Sequence, residues 1–126
     1  MSLIYHLALA GEWEADRERP YDTSTLGRLF DEVGFIHCSY DHQVQRIADL
    51  VYRGRDDVLL LEIDPARVDA PIEVEDLDDS GERFPHIYGP LNRDAVVRIA
   101  ALALARRRDG TLDCSAPAWR HAGSTN

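Results

Sequence analysis

The segment VLLLEI, residues 58–63, has the strongest structural signal in the sequence. Asp56 and Asp57 precede it, and Asp64 and Pro65 follow it. A short apolar run between turn-forming residues is typical of a β-strand that is buried on both faces. The chain must therefore place an apolar layer on each side of this strand, and its 126 residues suit one domain with a single core.

The other segments predict several short strands and two or three short helices. Strands are predicted at residues 2–9, 35–38, 71–77, 84–88 and 95–110. Helices are predicted at residues 10–19, 25–34 and 40–52. Ser39 is the predicted N-cap of the last helix, and Glu73 and Glu75 are predicted to face water. Because the helices and strands do not alternate regularly, the predicted fold class is α+β, with a bent or split antiparallel sheet.

The charge of the chain narrows the classes of partner. The formal net charge is −9 and the isoelectric point is near 4.9, which argues against nucleic acid as a partner and favours a small molecule. All 14 basic residues are arginine, so lysine chemistry is excluded while guanidinium groups remain available for anions. No apolar run approaches the roughly 20 residues that span a bilayer. The N-terminus has no basic leader, so we expect a cytoplasmic protein without a membrane anchor.

The two cysteines, Cys38 and Cys114, are far apart in sequence, and nothing else indicates a disulfide scaffold. We therefore expect free thiols. Because Cys38 lies in an apolar strand, we predict a small buried hydrophobic residue at this position rather than a nucleophile.

Three histidines lie in predicted strands: His6 in IYHLA, His37 in GFIHCS and His86 in FPHIYGP. An imidazole has two polar nitrogens that need partners when it is buried, so one such histidine alone is consistent with a structural role. Three in one small domain favour a shared cleft, where imidazoles act as hydrogen-bonding, acid–base or metal-binding groups. We therefore predict a histidine-lined site.

The spacing at the second strand indicates which side chains face this site. In an extended chain His37 and Ser39 share one face, while Cys38 points to the other. His37 and Cys38 therefore cannot bind one metal ion together, and no short-spaced pair of ligands is present. Arg53, Arg55 and Arg83 are either solvated surface residues or clamps for an anionic ligand.

The order of five motifs resembles the bacterial domain of unknown function 952 family. In chain order these motifs are IYHLA, GFIHCS, RGRDDVLLLEIDPARV, VEDL and GERFPHIYGPLN. The resemblance extends over roughly Leu3 to Leu104. It implies an ADP-ribosyltransferase-like fold, in which a split β-sheet surrounds a cleft that binds NAD.

A second resemblance is to the RNA 2′-phosphotransferases of the same superfamily. These enzymes have a Tyr-His-Gly-Thr strand, then a His-Ile-His segment, then an apolar strand ending in Ile-Asp. YHLA, FIHCS and VLLLEID occur here in that order. Leu7-Ala8 replaces the Gly-Thr pair, and the basic N-terminal domain that binds RNA has no counterpart, so the resemblance does not extend to an RNA substrate.

The resemblance implies a role for each matched residue. His6 corresponds to the histidine that hydrogen-bonds the NAD riboses, and His37, with Ser39 beside it, faces the nicotinamide side. His86 is the candidate for the third catalytic position, which is a glutamate in many transferases. The residues implied to bind the cofactor NAD are His6, Arg53, Arg55, Arg83 and Tyr88.

Three specific functions remain open from the sequence, besides a partner-protein role or an unlike substrate. The first is an NAD-dependent transferase or hydrolase, and the second is a non-catalytic module that binds a nucleotide. The third is a histidine metal site. In all three cases we expect residues 1–110 to form the single domain and residues 111–126 to be a C-terminal extension.

Overall fold

The computed structural model describes residues 2–15, 17–24, 33–77, 79–105, 107–109, 111 and 120–121. The strands are β1 (Ile4–Leu9), β2 (Ile36–His37), β3 (Val58–Ile63), β4 (Ile72–Glu75), β5 (Phe84–Ile87), β6 (Val96–Ala101) and β7 (Arg120–His121). The α-helices are α1 (Ala10–Glu14), α2 (Asp41–Val51) and α3 (Leu102–Ala105). Two short 3₁₀-helices, Pro65–Arg67 and Arg93–Ala95, lie in the connections.

The described strands form two antiparallel sheets. The first has four strands in the order β1-β3-β6-β7, and the second has three strands in the order β2-β5-β4. The prediction of an α+β domain with antiparallel sheets and few helices is therefore confirmed.

Strand β3 is central in the first sheet and is buried along its whole length, as its apolar sequence predicts. Its side chains alternate between two apolar clusters. Leu59, Leu61 and Ile63 face the cluster that lies between the two sheets. Val58 and Leu60 face the cluster beneath helix α2. The three layers are thus α2, the first sheet and the second sheet.

Glu62 is the one charged residue in β3, and it lies on the helix side of the sheet, where only 4% of its side chain is exposed. Arg98 donates two hydrogen bonds to its carboxylate, at 2.8 and 2.7 Å, and the Tyr5 hydroxyl donates a third at 3.0 Å. A buried carboxylate is tolerated when it is paired and hydrogen-bonded in this way.

Helix α2 packs on the first sheet through Val44, Ala48 and the adjoining Tyr52. Its N-cap is Tyr40, one residue later than predicted, and the Tyr40 amide donates to the Gln43 side chain at 2.9 Å. The prediction of Ser39 as N-cap was wrong because the backbone of Ser39 pairs with Tyr5 of β1 instead, at 2.7 and 2.8 Å. This pairing joins the two sheets.

Two other predictions can be compared with the described residues, and two others lie outside them. β6 ends at Ala101 and the chain turns into α3, so the long strand predicted at residues 95–110 was wrong in its second half. The segment Arg120–His121, within the predicted C-terminal extension, pairs with β6. The helix predicted at residues 25–34 lies almost wholly outside the described residues, as does Cys114. Cys38 is buried with a free thiol, as predicted.

In the described part of the chain, none of the helices has the length and apolar character that crossing a membrane requires.

The central position of β3 predicts the cost of a cavity there. Leu61→Ala should lower the free energy of unfolding by about 3 kcal/mol, because Leu61 is fully buried between the sheets. Leu50→Ala should change it by less than about 0.5 kcal/mol, because Leu50 is 77% exposed on α2. Urea denaturation of both variants measures the difference. Equal losses would contradict the central position of β3.

Candidate functional site

The candidate site lies on the outward face of the second sheet. Ile36, Pro85 and Ile87 are buried at positions that alternate with this face. The alternate positions carry polar and aromatic side chains, and His37 and His86 lie directly opposite each other on neighbouring strands. The sheet thus presents an apolar face to the core and a histidine-bearing face to a cleft.

The cleft has a volume of about 350 Å³. We call it the histidine cleft. Its described lining residues are Ser24, Val33, Phe35, His37, Glu75, Asp76, Leu77, Glu82, Phe84 and His86. Most of these side chains are aromatic, imidazole or carboxylate groups, so the cleft differs from an ordinary solvated sheet surface.

The rings in the cleft contact one another. Phe35 stacks on His86 with 4.2 Å between ring centroids and 26° between planes. His37 lies 5.3 Å from His86 and 5.0 Å from Phe84, again between centroids. Such contacts restrict the rotamers of both imidazoles, because each ring has a neighbour on the adjacent strand.

Glu75 of β4 orients His86. Its Oε1 atom lies 3.0 Å from Nδ1 of His86, and it also accepts a hydrogen bond from the Tyr88 hydroxyl. The hydrogen bonds from Tyr88 and His86 lower the pKa of Glu75. The same contact raises the pKa of Tyr88 to about 12, so Tyr88 keeps its proton at neutral pH. The ionised Glu75 therefore accepts hydrogen bonds from both Tyr88 and His86.

This contact fixes the proton on His86. Because an ionised carboxylate can only accept, Nδ1 must carry a proton, and Nε2 is an acceptor when the ring holds that single proton. Among the described residues, none forms a hydrogen bond with Nε2. Only 4% of the His86 side chain is exposed, and the residue lines the histidine cleft. The structure thus leaves one imidazole nitrogen for a ligand.

The rim of the cleft beside α2 is a charged network. Glu82 forms an ion pair with Arg46, and the Gln43 side chain donates to Glu82 at 3.1 Å. Gln43 also donates to the backbone oxygen of Arg83 at 2.8 Å. The first turns of α2 therefore fix the chain that leads into β5 and position Phe84.

His6 does not line this cleft. Its Nδ1 atom lies 2.7 Å from the backbone oxygen of His37, and its Nε2 atom lies 3.0 Å from the Tyr21 hydroxyl. The carbonyl can only accept, so Nδ1 carries the proton and Tyr21 donates to Nε2. Burial lowers the pKa of His6 to about 4, so the ring is neutral at pH 7. His6 holds the backbone of His37 in place.

His6, His37 and Ser39, three of the predicted catalytic residues, meet beside the pairing of Tyr5 with Ser39. They line a crevice of about 10 Å³, which has room for little more than one water molecule. Because His37 lines both the crevice and the histidine cleft, it lies between them.

The chain matches a protein family over most of its length. Residues 8–99 match the family described as "Protein of unknown function (DUF952)". This chain belongs to the DUF952 family. The predicted family resemblance is therefore confirmed.

Solved structures of one other protein resemble this DUF952 chain. The X-ray structure of protein CC0527 from Caulobacter crescentus has 30% sequence identity and a TM-score of 0.71, covering 88% of this chain and 93% of that one. Its solution NMR structure has 33% identity and a TM-score of 0.62, covering 87% and 90%. Among curated proteins, none matches this chain significantly.

The predicted arginines of the DUF952 chain lie in two places. Arg53 and Arg55 follow the C-terminal end of α2, where Arg55 pairs with Asp57 at 2.7 Å. The histidine cleft lies near the other end of this 11-residue helix, which is roughly 16 Å long. Arg83 is exposed and directly precedes Phe84 at the cleft. The nucleotide-binding roles of all three stay predictions.

Sequence reasoning missed the cleft residues Phe35, Phe84 and Glu75. Glu75 was predicted to face water, which is wrong in part, because it is half-buried and bonded to His86. The signal that could have found it is strand alternation. In the extended segment PHIYG, His86 and Tyr88 share a face. If the preceding predicted strand, which contains Glu75, pairs with this segment in an antiparallel way, its side chains reach the same face.

The hypothesis of a metal site has no geometric support in the described part of the DUF952 chain. Within those residues, no group of three or more His, Cys, Asp or Glu side chains is arranged to hold a metal ion.

The low pKa of His6 predicts acid sensitivity. Between pH 6.5 and about 4 the unfolded state binds a proton that the folded state does not, so stability falls as the pH falls through this range. At pH 5 this effect costs about 2 kcal/mol relative to pH 7. In His6→Gln, the loss between pH 7 and pH 5 should be smaller than in the native chain by about this amount.

Urea denaturation at both pH values measures these losses. The matched control is His42→Gln, because the His42 side chain is 72% exposed on α2. This variant should lose as much stability between the two pH values as the native chain. If His6→Gln also showed the native loss, His6 would not be the neutral buried group described above.

Proposed function

We propose that this protein binds NAD or an ADP-ribose-like nucleotide in the histidine cleft, with His86 as the acid–base group. The observation that carries the proposal is the Nε2 atom of His86. This atom is an acceptor on a buried ring that Glu75 orients, and it has no partner among the described residues. None of the buried side-chain nitrogen or oxygen atoms in the described residues lacks a partner, so Nε2 is accessible from the cleft, where a ligand can supply its hydrogen bond.

The aromatic lining supports a ligand with a flat ring. Phe35, Phe84 and the two imidazoles offer π-faces and ring edges in one cleft. Aromatic side chains bind heteroaromatic rings by offset stacking and edge contacts. A nucleotide has such a ring, together with sugar hydroxyls that donate hydrogen bonds.

The way in which the two sheets meet supports an ADP-ribosyltransferase-like fold. The sheets join where Tyr5 pairs with Ser39, and from there β1 continues in the first sheet while β2 belongs to the second. Two antiparallel sheets that meet in this way are compatible with the split sheet that the family resemblance implies. His6 and His37 lie next to the joint, at the positions that the resemblance assigns to the site.

Each residue of the network has a defined task in this proposal. Glu75 keeps the proton of His86 on Nδ1, so that Nε2 can accept a hydrogen bond or a proton from the ligand. Glu75 also places a fixed negative charge beside the cleft, which would favour positive charge developing on a bound sugar. NAD supplies a glycosidic bond whose cleavage develops such a charge. His6 positions His37 through its backbone.

The size of the cleft fits part of a dinucleotide. Ligand sites have volumes of about 300 to 1,000 Å³, and the histidine cleft, at about 350 Å³, is near the lower end. We therefore expect a ring and its sugar to bind inside and the phosphates to lie at the rim. Arg83 is an exposed cation next to the lining residues there.

The test is thermal unfolding of the full chain with and without 1 mM NAD or ADP-ribose, with nicotinamide release measured in the same samples. A ligand at 100 times its dissociation constant stabilises the folded state by about 2.7 kcal/mol. His86→Phe should bind at least about tenfold more weakly, because phenylalanine has no acceptor at this position. Nicotinamide release by the native chain would identify an enzyme, and binding without release would identify a non-catalytic module.

His42→Gln is the control, because His42 is an exposed histidine outside the cleft lining. It should keep the native shift in melting temperature. If the native chain showed no shift with either ligand, the proposal would be wrong. If His86→Phe failed to fold, His37→Ala would take its place, since His37 lines the same cleft.

A further inference from the structure

We infer that the outer edge of β4 binds an extended peptide segment of another protein, with apolar side chains at alternate positions and basic side chains between them. The inference is independent of the proposed function, because it concerns the outer edge of the second sheet and not the histidine cleft. It depends on the backbone groups at this edge, on an apolar groove beside it and on the charge around it.

Strand β4 is an outer strand of the second sheet, whose order is β2-β5-β4. The Tyr88 amide donates to the backbone oxygen of Pro71 at 2.8 Å, so this carbonyl points toward β5. Because backbone groups alternate in direction along an antiparallel strand, the N–H and C=O groups of Ile72 and Val74 point away from β5. Among the described strands, none pairs with this outer side of β4. Such an edge can template the addition of another strand.

An apolar groove of about 510 Å³ opens beside this edge. We call it the edge groove. Its described lining residues are Ser2, Ile4, Tyr40, Pro65, Ala70, Ile72, Val74 and Pro85. The two residues whose backbone groups point outward, Ile72 and Val74, thus also line the groove, and Val74 is 44% exposed. A strand added to this edge would direct alternate side chains toward the edge groove.

The charge around the edge favours basic side chains on the partner. Residues 64–77 include five acidic residues and one arginine. The arginine, Arg67, already pairs with Asp64 at 3.6 Å. Glu73 is exposed, and strand alternation places it on the face away from the edge groove. A basic side chain of an added strand would lie directly across from Glu73, and opposite charges at such positions stabilise a pair of strands.

A second copy of this chain fits the edge less well. Antiparallel pairing of β4 with β4 of another copy has two registers of greatest overlap in which the outward backbone groups oppose each other. In one register Glu73 lies opposite Glu73 of the copy, and in the other it lies opposite Glu75. Like charges directly opposite each other destabilise a pair of strands. The edge therefore fits a partner with basic residues better than another copy.

The test is fluorescence anisotropy of short blocked peptides with the full native chain at about 50 mM salt, where screening is weak. The peptide RVRVRVR, in one-letter code, has valines at alternate positions and should bind with a dissociation constant of about 100 µM or lower. RRVVVRR has the same composition without the alternation, and EVEVEVE has the alternation with the opposite charge. Each of these two should bind at least about tenfold more weakly.

The backbone hydrogen bonds are tested separately. The valines of RVRVRVR would pair with Ile72 and Val74, so their amides would face β4, and N-methylation of the valines removes these donors. The methylated peptide should bind at least about tenfold more weakly than RVRVRVR. In the protein, Val74→Pro removes an N–H that points away from β5, and it should weaken binding of RVRVRVR by at least about tenfold.

Glu73→Gln tests the charge at the edge. It should weaken binding of RVRVRVR by about threefold, because an exposed cross-strand ion pair makes a small contribution. The matched control is Glu12→Gln, which changes the net charge equally. Glu12 is exposed on α1, which follows Leu9, whereas the edge groove lies beside Ile4 at the other end of β1. This variant should bind RVRVRVR within about 1.5-fold of the native chain.

Several outcomes would overturn the inference. If RVRVRVR did not bind, the edge would not be a peptide site. If RRVVVRR or the N-methylated peptide bound as tightly as RVRVRVR, charge alone would explain the binding. If sedimentation showed a native dimer that Val74→Pro abolished, the edge would belong to a second copy. The peptide series on the native chain needs no variant, so the inference is tested even if Val74→Pro does not fold.

Discussion

Burial of β3 on both faces is the constraint on which the rest of the structure depends. Val58–Ile63 has no exposed position, so each face needs its own apolar cover. Helix α2 covers one face and the second sheet covers the other. Even the charge of Glu62 is accommodated, because Arg98 and Tyr5 satisfy its carboxylate within the protein. The second sheet lies where it does because the face of β3 that α2 does not cover needs an apolar cover.

The candidate site is a consequence of that arrangement. A strand in the second sheet uses alternate residues to cover the first sheet, and the residues between them must point away from the core. In β5, Pro85 and Ile87 are the core residues, so Phe84 and His86 point outward. The packing therefore fixes the backbone of the site, while core packing does not determine which side chains point outward into the cleft.

The sequence was sufficient for elements whose signal is local. The apolar run of β3 and the 3.6-residue period of α2 each predicted the right element. Sequence patterns gave the wrong prediction at positions whose structure is determined by tertiary contacts. Ser39 has the side chain of an N-cap, but its backbone pairs with Tyr5, which is distant in sequence. Glu75 alternates as a solvent-facing residue would, and only pairing of β4 with β5 brings it to His86.

The three histidines show why a site cannot be assigned from residue type alone. In sequence, His6, His37 and His86 are equivalent, because each lies in a short strand among apolar residues. The structure distinguishes them by their partners. Both nitrogens of His6 have partners within the protein, whereas His86 has one nitrogen on Glu75 and one for the cleft. Burial keeps His6 neutral, and its hydrogen bonds connect the His37 backbone with the Tyr21 hydroxyl. His86 is buried to a similar degree, but its contact with a carboxylate makes it an oriented acceptor. The nature of the second partner, and not the depth of burial, therefore separates the structural histidine from the candidate site histidine here.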